Sequence, residues 1–181
     1  MRRVFIVGPG GVGKSTAGEI LAKTLKYYFV DLDTAFCTHI ENIGTYIRRE
    51  GYAKYCQTNS NLFYDLLSRL AEDTVFVLSS GFLAHEDMDK LTSRHAQTLK
   101  AEGVTLCLLP SVSLEESLSI VVNRQMKRGW KLDRSNEEKK FRRRYPIYQE
   151  CGDIQIYSSA SPQETASLMK KELIERSYIS K

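Results

Sequence analysis

The chain has 181 residues, 42% hydrophobic and 27% charged, which suits one packed domain with a substantial core. Its net charge of +4 is too small to call for nucleic acid, and no stretch has the length and apolarity of a membrane span. The run behind Met1-Arg2-Arg3 is too short for a secretory leader, and Cys37, Cys56, Cys107 and Cys151 form no C-x-x-C pair, so a cytoplasmic protein with reduced thiols is expected.

An apolar β-branched strand is predicted over 4–7. Residues 8–16 follow as Gly-Pro-Gly-Gly-Val-Gly-Lys-Ser-Thr, matching G-x-x-x-x-G-K-[ST], and a helical pattern runs over 16–25. Strand, glycine-rich loop and helix together are the context of a phosphate-binding loop. Gly8, Gly10, Gly11, Val12, Gly13, Lys14, Ser15 and Thr16 are therefore the expected contacts of a bound nucleotide. Glycines let backbone N–H groups close on phosphate oxygens, and the new helix adds its positive end. Lys14 is placed to reach the β- and γ-phosphates and Ser15 to bind Mg²⁺.

A second strand is expected over 28–31, ending in Asp31-Leu32-Asp33. In an open parallel sheet the C-terminal strand edge is where ligands bind. In extended chain the i, i+2 spacing points both carboxylates one way, one to support Mg²⁺ through water and the other to take the proton of an acceptor hydroxyl. The competing reading has Asp33 cap a helix starting at Thr34. Residues 34–73 read as helical pieces broken near Gly44 and Gly51. A third strand follows over 75–78, then Ser79-Ser80-Gly81, a helix over 86–102 and a fourth strand over 104–109. Ser113-Leu114-Glu115-Glu116 and Ser161-Pro162-Gln163-Glu164 read as capping boxes opening two more helices, with a fifth strand over 153–157 between them. Alternating βα units with continuous apolar strands imply a doubly wound parallel five-stranded sheet flanked by helices. Ten basic residues lie between Arg124 and Arg144, interrupted by Asp133, Glu137 and Glu138. They read either as a solvated helix face or as cations that cover a transferring phosphate and clamp an anionic acceptor.

On these residues the chain resembles the shikimate kinases, small P-loop kinases that phosphorylate a cyclic hydroxy acid. The resemblance takes in the loop at 8–16, the Asp31/Asp33 pair, Ile47-Arg48-Arg49-Glu50-Gly51, the turn at Ser79-Ser80-Gly81, arginines around 124–134, and Arg144-Tyr145-Pro146-Ile147-Tyr148, similar to the family's Arg-x-Pro-Leu-Tyr. It implies a P-loop NTPase fold over 1–181, with an acceptor-binding helical segment at about 33–72 and a mobile lid at about 124–136. ATP and Mg²⁺ would be the cofactors and an anionic small molecule the partner, with a monomer favoured and neither membrane nor nucleic acid involved. Carried across, Lys14 and Ser15 serve ATP and Mg²⁺, Asp31 supports the metal through water, and Asp33 binds the acceptor hydroxyls as base. Gly81 lets backbone approach the acceptor and Arg144 pairs with its carboxylate. Arg128 is the lid arginine, with Arg124 and Arg134 as rivals, and Pro162 lies beside the adenine.

Two departures bear on the acceptor. Where the family reads Gly-Glu-x-x-Phe-Arg, this chain has Gly51-Tyr52-Ala53-Lys54-Tyr55-Cys56, so a cysteine stands for an arginine that grips the carboxylate. Lys54, Arg48 and Arg49 are the nearby cations that would have to compensate. The family's Gly-Gly-Gly turn is Ser79-Ser80-Gly81 here, and Arg128-Gly129-Trp130 departs from its Arg-Pro-Leu-Leu. A shikimate-type kinase is thus the first expectation. A P-loop kinase for a sugar acid or nucleotide is the second, although the Asp-Gly-x-Pro-Arg stretch of nucleoside monophosphate kinases is missing after the third strand. A nucleotide-binding module without transferase activity is the third.

Overall fold

The computed structural model describes residues 1–127 and 132–179. Five strands, β1 (Arg3–Val7), β2 (Tyr28–Asp31), β3 (Thr74–Val77), β4 (Val104–Leu109) and β5 (Ile154–Tyr157), form one parallel sheet in the order β2-β3-β1-β4-β5. Every residue of β1, β3 and β4 is buried, Arg3, Thr74 and Thr105 among otherwise apolar runs, while the edge strands β2 and β5 also carry partly buried and exposed positions. Helices α1 (Lys14–Leu25), α5 (Asp89–Glu102), α6 (Leu114–Met126), α7 (Arg134–Glu150) and α8 (Pro162–Glu175) connect or cover the sheet.

Between β2 and β3 lie α2 (Leu32–His39), α3 (Ile43–Glu50) and α4 (Tyr52–Arg69). They carry a small core of their own, Phe36, Tyr46, Tyr55 and Cys56, apart from the main core around the Phe5, Phe63, Phe76 and Phe82 rings. The expected break near Gly44 falls earlier. Asn42 Oδ1 accepts the Thr45 N–H at 3.1 Å and starts α3, leaving Gly44 inside it. Gly51 does separate α3 from α4.

The helix expected from 86 begins at Asp89, because Asp87 takes a left-handed φ of 58° that no helix interior accommodates. The predicted capping box at Ser161 forms in full, with Ser161 and Glu164 exchanging hydrogen bonds. Ser113 caps α6 through the Glu116 N–H. Much of the basic run lies on α7, with Pro146 within it. Among the described residues no helix is long and apolar enough to cross a membrane.

Candidate active site

The strand order reverses beside β1, and the segments leaving the C-terminal ends of β1, β2 and β3 meet there. Gly8, Gly11 and Gly13 take φ of 137°, 84° and 106° as the chain leaves β1. At Gly8 the need for glycine is also steric, since a Cβ would stand 2.3 Å from the Leu108 carbonyl oxygen. Lys14, 8% exposed, folds back to donate to the carbonyls of Gly8 and Pro9, both at 2.9 Å. Gly10, Gly11, Gly13, Lys14, Ser15 and Thr16 line one side of a cavity.

Asp33 and Ser80 face the loop across that cavity, and Gln125, Glu137 and Lys140 close it from α6 and α7. The route by which Asp33 arrives differs from the sequence expectation. Asp31 Oδ1 accepts the Thr34 N–H at 2.9 Å, so Asp31 is the cap and α2 begins at Leu32. Asp33 therefore sits in the first helical turn, and the i, i+2 extended geometry does not hold. Its Oδ1 instead accepts the Ser79 hydroxyl at 2.5 Å. Ser79 in turn accepts from Asn59 Nδ2 at 3.0 Å, and Asn59 is fully buried.

The predicted arginines separate. Arg124 donates to the Val12 carbonyl (3.2 Å) and the Ser159 carbonyl (3.4 Å), joining the phosphate loop to the segment before Pro162. Arg134 turns to Asn123 of α6 (2.9 Å) and to Glu138. Arg128 lies outside the described residues. Lys140, which sequence reasoning did not single out, lines the cavity in a 2.5 Å ion pair with Glu137. Gln125, also missed, donates to the Gly10 carbonyl at 2.9 Å.

A second group of side chains gathers next to Gly81. Arg144 is 7% exposed and donates through Nη2 to Tyr52 Oη at 3.1 Å, with Glu86 3.9 Å from its Nε. Burial pulls the Arg144 pKa down, but Tyr148, Tyr52 and Glu86 outweigh it and the net direction is up. Tyr52 Oη and Cys56 Sγ lie 3.1 and 3.3 Å from His85 Nδ1. His85 is buried, and burial, followed by the His95 and Arg144 charges, lowers its pKa to about 4. Burial likewise raises the Cys56 thiol and the Tyr52 hydroxyl.

A Cβ at Gly81 would stand 2.8 Å from Tyr52 Oη, so this close approach requires the glycine. The cations expected to compensate for Cys56 are elsewhere. Arg48 bonds Thr45 within α3, Arg49 pairs with Glu41 and Glu50, and Lys54 is exposed. Tyr52 and His85 had no sequence signal beyond being polar residues near expected loops.

A five-stranded parallel sheet in this order, with a phosphate loop after β1 and a carboxylate from the first turn of α2 in the same cavity, defines a P-loop kinase of small molecules. The sequence profile described as shikimate kinase matches residues 10–174, and the chain belongs to the shikimate kinase family. It is 32% identical over 166 residues to the shikimate kinase of Chlorobium chlorochromatii (strain CaD3), covering 87% of this chain and 82% of that one. The fold is similar to shikimate kinase from Acinetobacter baumannii in complex with shikimate (TM-score 0.76, 21% identity, 97% of this chain and 94% of that one). It is also similar to shikimate kinase from Aquifex aeolicus vf5 (TM-score 0.74, 18% identity, 97% and 98%).

Proposed function

We propose that the chain transfers the γ-phosphoryl group of ATP to a hydroxyl of shikimate. The observation that carries this is the meeting of Lys14, Ser15 and Asp33 in one cavity of a shikimate kinase family member, with buried Arg144 near the adjoining Gly81 turn. In the transfer the acceptor oxygen forms its bond to the γ-phosphorus and the bond to the β,γ-bridging oxygen breaks, leaving ADP. Asp33, held by Ser79, takes the hydroxyl proton. Lys14 supplies positive charge over the β- and γ-phosphates, the phosphate loop supplies N–H donors, and Arg124 braces that loop beside Pro162.

Ser15, which lines the cavity, would hold Mg²⁺ through its hydroxyl, and Asp31, whose Oδ1 also caps α2, would support it through water; the metal when bound would neutralise phosphate charge. Arg144 holds the acceptor carboxylate. Arg128 covers the phosphates as the lid arginine. The remainder of the reading is one kinase domain over 1–181, acting as a monomer in the cytoplasm.

Cys56 favours a second reading in which the acceptor is a sugar acid making less demand for paired cations. ADP release from ATP-Mg²⁺ with and without shikimate, with Lys14→Ala as blank, decides between them. Shikimate-dependent turnover supports the first reading. Its absence, with ATP binding intact, overturns that reading and turns the assay to sugar acids.

A further inference from the structure

We propose that the Tyr52 hydroxyl is the second donor to the acceptor carboxylate, set in place by His85 and working beside Arg144; this rests on the shikimate kinase reading above. The need for such a donor comes from position 56. Cys56 is fully buried in the small core with Phe36, Tyr46 and Tyr55, and its thiol turns to His85. It offers no positive charge, and Arg48 and Arg49 are engaged on α3.

The supply comes from the contacts of Tyr52 Oη. Arg144 Nη2 can only donate, so the tyrosine oxygen accepts from it. His85 Nε2 is buried with no hydrogen-bond partner. A buried N–H without an acceptor is costlier than a bare lone pair, so the proton sits on Nδ1, shared between Tyr52 Oη at 3.1 Å and the weaker acceptor Cys56 Sγ at 3.3 Å. With its oxygen accepting from a guanidinium and an imidazole, the hydroxyl keeps its own hydrogen to donate; its neighbour within the protein is the Cys56 sulfur, a weak acceptor that a carboxylate displaces. The phenol, whose pKa is shifted upward from its ordinary value, is protonated at neutral pH. The oxygen lies at the bare face of Gly81, the residue after cavity-lining Ser80, which puts this donor beside the turn that borders the cavity.

The test is calorimetric titration of shikimate into the full chain, together with steady-state ADP release. Wild type, Tyr52→Phe, His85→Leu and the double variant are compared. Tyr52→Phe is expected to raise Kd and KM for shikimate about tenfold or more, the scale of one hydrogen bond to a charged group. kcat and KM for ATP stay at wild-type values. His85→Leu raises KM for shikimate less, and the double variant matches Tyr52→Phe because His85 acts through that hydroxyl.

Tyr52→Phe keeps the ring, so the main comparison does not depend on the His85 variant folding. Unchanged Kd and KM in Tyr52→Phe, a fall in kcat alone, or simple additivity in the double variant would overturn the proposal. Wild-type turnover of shikimate that Tyr52→Phe leaves unmoved removes this inference and spares the kinase reading. Binding weakened by Tyr52→Phe without any ADP release does the reverse, and a wild type that fails to bind shikimate removes both.

Discussion

Ser79 donates its hydroxyl to Asp33 Oδ1 at 2.5 Å, joining two segments 46 residues apart, and Ser79 Oγ itself accepts from the buried Asn59 amide. A serine thus stands where the family's turn has glycine and orients the carboxylate proposed as base. Fixing that carboxylate towards the phosphate loop reduces the search for a reactive geometry.

Ser79→Ala removes the hydroxyl and leaves the Asn59 amide without its partner. Hydrogen bonds to charged groups contribute about 1.5–3 kcal/mol, so kcat should fall about tenfold or more. KM for ATP should not move, because the phosphate loop is untouched. Steady-state kinetics with ATP varied at saturating acceptor checks this; an unchanged kcat would show that Asp33 needs no support from Ser79.

Lys14→Ala should be far more damaging. The ammonium lines the cavity, donating to two carbonyls of the phosphate loop, and its charge is the one assigned to the β- and γ-phosphates. Loss of a donor of this kind costs on the order of 100-fold or more in turnover. Single-turnover ADP formation is the check, and near-normal turnover would remove Lys14 from the mechanism.

The parts that were legible in the sequence are those with local or periodic causes. Continuous apolar runs marked the strands, serine caps marked α6 and α8, and the phosphate loop announced itself by spacing. Asp33 does line the cavity, but it arrives in the first turn of a helix capped by Asp31 rather than from an extended chain. What was missed depends on contacts between distant segments: Gln125 on Gly10, His85 on Cys56, and Cys107 Sγ 3.5 Å from Cys151 Sγ. Such contacts leave no repeat in the chain. On α7 the buried stripe of Phe141, Tyr145 and Tyr148 also carries the charged Glu137 and Arg144, so nothing local distinguishes Lys140 at the cavity from Arg142 paired with Glu115.

The buried His85 predicts a pH dependence of stability. It faces Tyr52 and Cys56 from α4, Arg144 from α7 and His95 from α5. Its folded pKa of about 4 lies below the ordinary value of 6.5, so between these the unfolded chain binds more protons. Its contribution is complete above about pH 6.5 and is lost as pH falls towards 4, amounting to roughly 3 kcal/mol across that window. His95, also lowered by burial, adds in the same direction. Urea unfolding at pH 7.5 and 5 should show a marked drop for wild type and a shallower one for His85→Leu. Equal slopes would mean that His85 takes up its proton without cost in the folded protein.

Gln125 gives the prediction that best separates nucleotide from acceptor. Its amide donates to the Gly10 carbonyl, and its side chain packs where a Cβ on Gly11 would come within 2.9 Å. It therefore props the phosphate loop from α6. Gln125→Ala loses one neutral hydrogen bond, about 0.5–1.5 kcal/mol, and should raise KM for ATP roughly two- to tenfold. KM for the acceptor should stay fixed, because Tyr52 and Arg144 belong to a separate hydrogen-bonded group. If both KM values rose together, the loop and the acceptor pocket would be coupled through the cavity they share, and Gln125 would be bracing the whole site.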